Sequence, residues 1–502
     1  MATQENAFRT CPTTGLKVHL KAQRLIVVNA VTAVVALTIG GILALLIALT
    51  RVPGLQVLPP ELFYRFLTAH GTDMLVVWIV FFEIAGLYFG GAVLLNARLV
   101  KPGLGWLAYA LMLVGAVVAN IIIIMGKADV MFTAYPPLKA HPLFYLGIIL
   151  FAVGALLAIG LFLATVIVAK KEKSFTGSVP LTTYGLIVAA IIGVFTLLSG
   201  AVTFVPTFLW SIGLLPSFDA ATYRVLFWGF GHPAQQVNLA ATVAVWYALA
   251  SLTVGAKPLN EKLSRFAFVL YLLFINLGAM HHLLVDPALG TANRMINTSY
   301  FMYMAVLGSL IHAYSIPAAV EVAQRKKGLT RGLFQWLTRA PWGQPGFSAL
   351  VVSMVIFGFI GGVTGVIQGN DQVNLIVHNT LRVPGHFHAT VVGGTTLAFM
   401  GLTYYLLPLM IRRELALKSW AKLQPYIYGL GVATMALGML WAGVQGVPRR
   451  TADISAITVI PGSEVPMIIM GVGAVIAVLG GAMFVIIALA TLLNGKKTAE
   501  VR

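Results

Sequence analysis

The 502-residue chain holds one cysteine, Cys11, and only 15 acidic residues. A single thiol excludes an intrachain disulfide framework, a CxxCH haem attachment and a thiolate metal cluster. Charged residues of both signs make up 10% of the chain, whereas 59% of it is hydrophobic. A water-soluble protein cannot hide that much apolar surface, so the solvent for most of the chain is lipid. Ser/Gly-rich linkers, low-complexity tracts and visible repeats are also lacking. One transmembrane catalytic domain over residues 1–502 is therefore expected.

What is present is a succession of apolar runs of membrane-spanning length. They fall near 25–50, 66–96, 104–125, 143–170, 182–209, 225–250, 264–285, 299–322, 347–367, 386–410, 424–446 and 465–492. The expected fold is an all-α integral-membrane bundle of about 12 helices, at roughly 20 or more residues each. The first run is too long for a signal-peptide core and is read as a retained span. The net charge of +18 does not mark a nucleic-acid binder. With the N-terminus placed in the cytoplasm, most Lys and Arg residues fall on the inner side, including "AKKEK" at 169–173, "RKKG" at 325–328 and "IRREL" at 411–415. That bias fixes orientation, with both termini cytoplasmic, and anionic lipid accounts for the charge. A multi-pass inner-membrane protein is expected, and the resemblance given below implies a prokaryotic one.

The 10 histidines are not spread evenly in depth. His70 opens the second span, His232 the sixth, and His386 and His388 the tenth; His281 and His282 close the seventh. All these ends lie on the outer side, so six histidines from four helices share one shallow layer. An ionisable residue at such depth is a functional hypothesis by default. In a helix His386 and His388 point to opposite sides, about 200° apart, and can serve two planar cofactors. His281 and His282, about 100° apart in a helix, can share one metal if it sits in the angle between them, with His232 completing three imidazoles. Three imidazoles without carboxylate or thiolate suit copper, with zinc and iron left open. His70 is then available to face His388 across a second haem. Gly71 and Gly385, beside the ligands, are expected to let flat macrocycles approach. His19 and His141 read as structural, and His312 as packed. His378, with Arg449 and Arg450 of "GVPRR", is placed to bind haem propionates, because Arg forks suit carboxylates.

Five stretches carry a resemblance: "TAYPPLKAHPLFYLG" at 133–147, "LFWGFGHP" at 226–233, "HHLLVDP" at 281–287, "VHNTLRVPGHFH" at 377–388 and "WAGVQGVPRR" at 441–450. Together they resemble subunit I of the haem-copper oxidase superfamily, most of all its B-family of ba-type oxidases, over nearly the whole chain. The resemblance implies His70 and His388 as axial ligands of a low-spin haem and His386 as the ligand of a high-spin haem. It implies His232, His281 and His282 as copper ligands. Two haems, with b type the expectation, and one copper ion follow. So does a second subunit with an outer electron-accepting domain, possibly dicopper, fed by cytochrome c or a small copper protein.

The departures from the family pattern matter more. Family oxidases carry a tyrosine four residues after the first copper-ligating histidine. Here that position holds Gln236, in His232-Pro233-Ala234-Gln235-Gln236. Residues 274–280 supply no replacement tyrosine, and Tyr271 sits about three turns below the histidine pair, roughly 15 Å away. The family's proton-path hydroxyls on the sixth and eighth spans fall at Val243, Tyr247, Gly308, Ile311 and Tyr314, of which only the tyrosines carry a proton. Asn374 stands where an aspartate near a propionate is expected.

One-step cleavage of dioxygen takes four electrons, one of them from the tyrosine, and a glutamine amide cannot supply it. Coupling two nitric oxide molecules takes two electrons and two protons, and two metals suffice. Gln236 is then a hydrogen-bond donor to a developing anionic oxygen, with Gln235 and Asn238 as other donors on different helix faces. The expected function is a nitric oxide reductase on an oxidase scaffold. Three readings compete with it: a cytochrome c oxidase reducing dioxygen to water, a Gln236 that only fills space, and a 12-span transporter. Glu83, the one carboxylate deep in an early span, lies at the wrong depth to support non-haem iron.

Overall fold

A computed structural model describes residues 7–12, 14–287 and 289–498; the extreme ends, expected on the inner side, lie outside the described residues. Among the described residues, twelve helices are long and apolar enough to cross a membrane. They are α1 (Leu20–Thr50), α2 (Pro60–Val93), α3 (Pro102–Ile124), α4 (Pro142–Lys171), α5 (Leu181–Ser211), α6 (Ala220–Val254), α7 (Glu261–Leu283), α8 (Thr291–Lys326), α9 (Pro345–Gln368), α10 (Arg382–Ile411), α11 (Lys418–Val444) and α12 (Glu464–Asn494). The chain is a multi-pass membrane protein. Among the described residues the β-structure is a short antiparallel ribbon, Phe8–Thr10 against Lys17–His19, and two isolated bridges, Thr380 to Pro448 and Arg413 to Lys497.

The helices overrun the apolar stretches read from sequence because polar residues cap them. Asp219 accepts from the Thr222 amide at 2.7 Å, so α6 starts before its apolar run. Pro60, Pro102, Pro142 and Pro345 stand in the first turns of α2, α3, α4 and α9, where a missing N–H costs nothing. α2, α6 and α10 are the most enclosed, with 89%, 78% and 78% of their most apolar stretch buried, against 22% for α9. These three central helices carry four of the six histidines.

Neighbouring helices approach through small residues, as membrane helices do where lipid gives no hydrophobic drive for association. α11 and α12 share the most extensive helix–helix contact. A methyl group at Gly438 would lie 2.6 Å from the Met470 amide nitrogen. Gly385 turns out to serve the same purpose: its missing side chain faces Leu440 and the Ala436 carbonyl of α11, so it packs helices and does not face the histidine layer. Gly71 lines the histidine cavity, but the atom it makes room for is Cβ of Phe132, 2.9 Å from where its own would be.

Regular helix geometry fails at the histidines. α7 is α-helical only to Leu277, and Gly278–Leu283 is a 3₁₀ turn. His281 and His282 are therefore about 120° apart and not 100°. π-helical turns follow His70 at Asp73–Trp78 and begin at His388, over His388–Thr396. Such turns concentrate at functional sites, since they re-aim side chains that an unbroken helix would not bring together.

Candidate haem and metal centre

The six histidines line one cavity of about 780 Å³ between α1, α2, α6, α7, α8, α9, α10, α11 and α12. Gln235, Gln236, His378, Arg449 and Arg450 also line it. Among the described residues no aspartate or glutamate does. Asn238 is buried but outside this lining, and Glu83 is buried away from it.

His70 and His388 form the first arrangement. Their rings lie 6.4 Å apart between centres and within 12° of parallel. Each ring is held by its inner nitrogen: His70 Nδ1 meets the Gly40 carbonyl at 3.0 Å, and His388 Nδ1 the Pro384 carbonyl at 2.7 Å. A carbonyl accepts only, so Nδ1 carries the proton and Nε2 keeps its lone pair. Two metal–nitrogen bonds of about 2 Å, plus roughly 1 Å from each nitrogen to its ring centre, span about 6 Å. The pair therefore fits a macrocycle iron between the rings.

His386 is held in the same way, with Nδ1 on the Gly361 carbonyl at 2.9 Å. α9 comes close enough for this because Gly365 has no side chain: a methyl there would lie 2.6 Å from His386 Cε1. With Nδ1 on a carbonyl, His386 Nε2 keeps its lone pair and could hold a second macrocycle iron.

His232, His281 and His282 form a compact triad whose ligand nitrogens all lie within 4.8 Å of one another. His232 Nδ1 is 3.0 Å from His282 Nε2, and the His232 and His281 rings meet edge to face at 4.5 Å. Three convergent imidazoles, with no carboxylate on the cavity wall, form a donor set for a borderline metal and not for a hard one.

Sequence reasoning missed the residues that hold this triad. Trp228 stacks on His282 at 3.9 Å and 4°, and donates its Nε1–H to the Tyr135 hydroxyl at 2.7 Å. Trp228 lies one turn before His232 inside the "LFWGFGHP" stretch, and that spacing was the available signal. Tyr135 comes from "TAYPPLKAHPLFYLG", which folds back over α6; Tyr223 fastens it by donating to the Thr133 carbonyl at 3.0 Å.

Above the histidines the wall is cationic. Burial, then the neighbouring Arg450, brings Arg449 down to about 9 from its ordinary 12.5. Burial lowers Arg450 as well. Burial and then Arg449 draw His378 down to about 4, so it is neutral at pH 7. It bonds Asn374 Oδ1 through Nδ1 at 3.0 Å. Neighbouring Arg224 has its carboxylate, Asp286, at 2.7 Å. No ion pair involves Arg449 or Arg450 among the described residues, and crowded guanidinium groups of this kind suit the carboxylates of a bound macrocycle.

The remaining expectations sort simply. His141 caps α4, accepting from the Leu143 amide at 3.3 Å, and His19 accepts from the Leu99 amide at 3.2 Å. Both are structural. His312 is packed, as expected, and hydrogen-bonded to Tyr247. Tyr314 is 77% exposed on the outer surface of the bundle, so it reaches no internal path.

The chain is similar to known proteins over most of its length. A family model described as cytochrome c and quinol oxidase polypeptide I matches residues 24–476. A cytochrome c oxidase subunit 1 of Thermus thermophilus is 32% identical over 87% of this chain and 78% of its own length. A cytochrome c oxidase polypeptide 1 of Halobacterium salinarum is 28% identical over 85% of this chain and 71% of its own. A solved haem-copper terminal oxidase dimer superposes with a TM-score of 0.88 at 27% identity, covering 96% of this chain and 85% of that one. With the match running almost from end to end, and six histidines gathered on one cavity, the chain belongs to the haem-copper oxidase subunit I family.

Proposed function

We propose that this chain is the catalytic subunit of a haem-copper nitric oxide reductase, converting two nitric oxide molecules, two electrons and two protons into nitrous oxide and water. His70 and His388 would hold a low-spin haem, His386 a high-spin haem, and His232, His281 and His282 a copper ion. Bound there, these groups supply the electrons and hold the gas. The chain's own residues do the rest. Trp228 fixes the plane of His282. Arg449, Arg450 and His378 fix the macrocycle carboxylates.

The observation that carries this reading is Gln236. It lines the same cavity as the histidine triad, one helical turn after His232, and its side-chain amide makes no hydrogen bond among the described residues. A free amide can donate to negative charge developing on a substrate oxygen. It cannot supply an electron. The absence of carboxylates from the cavity wall favours copper over non-haem iron at the triad.

A second reading has its own support: the relatives are named as cytochrome c oxidases, and a terminal oxidase shares the fold. On that reading the chain reduces dioxygen to water and draws the fourth electron from elsewhere than position 236. Either reading calls for an electron-accepting partner subunit and a donor such as cytochrome c or a small copper protein. Steady-state turnover of the purified complex with nitric oxide and with dioxygen, side by side, decides. Nitrous oxide formation well above the dioxygen rate supports the reductase. Fast, complete reduction of dioxygen with negligible nitrous oxide establishes the oxidase.

A further inference from the structure

We infer that protons reach the cavity by a relay running through His312 and Tyr271, which replaces the hydroxyl positions that are apolar in this chain. Three of the family's path positions, Val243, Gly308 and Ile311, carry no exchangeable side-chain proton. Tyr314 faces outward. A different set of groups bridges the same distance.

The relay begins at a second, smaller cavity of about 170 Å³ on the face of the bundle that carries the lysine-rich loops. Thr182, Ser251, Lys257 and Tyr247 line it. The Tyr247 hydroxyl bonds Ser264 Oγ at 3.0 Å and His312 Nδ1 at 3.0 Å. His312 is 1% exposed, and its Nε2 is buried without a hydrogen-bond partner. Its ring lies against that of Tyr271, 5.5 Å between centres. The Tyr271 hydroxyl bonds Ser309 Oγ at 2.9 Å. Ser309 lines the large cavity, together with Gln236 and His281.

Gly308 explains how Tyr271 comes to stand there. A methyl at position 308 would lie 3.1 Å from Tyr271 Cε1 and 3.0 Å from the Ala267 carbonyl. The position that lost a hydroxyl thus makes room for a phenol from α7. A buried imidazole with one nitrogen bonded and the other orphaned is costly unless it has a use. Here Nδ1 is bonded to Tyr247, and the ring carrying the unpartnered Nε2 lies against Tyr271.

The proton balance is simple. Tyr247 takes a proton from the small cavity and passes its own to His312 Nδ1. The imidazole releases a different proton from Nε2 toward Tyr271. Tyr271 accepts it and gives its own to Ser309, which hands one on to the cavity. One proton moves in and one out, and no group changes its net charge. The hop from Nε2 to the Tyr271 hydroxyl has no direct hydrogen bond, and takes a rotation of the imidazole or one bridging water.

This inference rests only on the proton demand that nitric oxide and dioxygen reduction share, so it stands whichever gas is the substrate. The test uses the assembled complex with no gas present. The complex is reduced anaerobically, and proton uptake from the medium is followed with a pH-indicating dye beside the haem spectra. His312→Phe, Tyr271→Phe and the milder Ser309→Ala should each slow uptake by about ten-fold or more, with both haems in place and the low-spin haem reduced at the wild-type rate. Added imidazole should restore uptake in His312→Ala and leave Tyr271→Phe slow, a rescue that a packing role would not give. Tyr314→Phe, on the outer face of the same helix, should take up protons normally. Wild-type uptake in Tyr271→Phe and Ser309→Ala, with both haems bound, would overturn the relay. So would slowing by Tyr314→Phe.

Discussion

His70 and His388, from helices far apart in the chain, face each other with parallel rings 6.4 Å apart, and each is locked by a backbone carbonyl behind it. His386, two residues from His388, is locked by a carbonyl of a different helix. The two imidazoles of α10 are therefore anchored on different helices. His388→Ala should abolish the low-spin haem spectrum and electron entry. His386→Ala should leave that spectrum intact and abolish ligand binding at the other iron. Visible spectra of the two purified variants, with and without carbon monoxide, check this; loss of the same band in both would disprove it.

Metal content follows from the donor sets. Purified protein should carry two irons and one copper per chain. His281→Ala opens a triad whose nitrogens lie within 4.8 Å of one another. It should lose most of its copper and keep both haems. Elemental analysis against protein concentration reads both numbers, and zinc in place of copper would contradict the assignment.

The side-chain amide of Gln236 makes no hydrogen bond among the described residues, so its proposed role is open to direct test. Removing one donor to a developing anion costs about 10²–10³ in rate. Gln236→Ala and the similarly sized Gln236→Leu should both slow nitric oxide reduction by that order and leave haem and copper content unchanged. A Leu variant as fast as the wild type would show that the residue only fills volume.

Gly438 meets backbone, and backbone cannot yield as a side-chain tip can. Gly438→Leu drives atoms against Met470 N, where even a methyl would sit at 2.6 Å. Overpacking of this kind costs about 1–3 kcal/mol. The variant should unfold at a lower temperature in a thermal-shift assay, with α11 and α12 separating first.

His19 supplies a pH test outside the membrane-spanning helices. Burial, helped by Lys21 and Arg98, lowers it to about 4 from 6.5, and its Nδ1 accepts from the Leu99 amide. The folded state thus binds fewer protons here than the unfolded one. The ribbon's attachment should be at full strength above about pH 6.5 and weaken as the pH falls toward 4. Hydrogen exchange at residues 17–19 and 99 at pH 7 and pH 5 measures the change, which His19→Gln should flatten.

The sequence made much of this legible, for physical reasons. Long apolar runs have no alternative but helices in lipid, so the twelve spans could be read directly, with ends that moved where Asp219 or a proline capped the helix. Six histidines at one depth are too costly to be accidental, and all six line the cavity. What could not be read was local. The 3₁₀ turn that ends α7 changes the angle between His281 and His282, and no periodicity announces it. Trp228 and Tyr135 meet only in the folded chain. Gly385 was assigned to a macrocycle and belongs to a helix contact, because an isolated glycine does not say which neighbour it makes room for. His312 reads as packed, and it is packed between the rings of Tyr247 and Tyr271.

The cavity wall carries guanidinium and imidazole groups and, among the described residues, no carboxylate. Such a wall is a one-signed electrostatic vessel: closing the bundle around it without a counter-anion would press like charges together in a poor dielectric. The carboxylates of an entering macrocycle relieve that pressure. A chain without its prosthetic groups is therefore expected to close less tightly around Arg449 and Arg450 than a loaded one, and thermal melts of the two forms at low and high salt measure the difference.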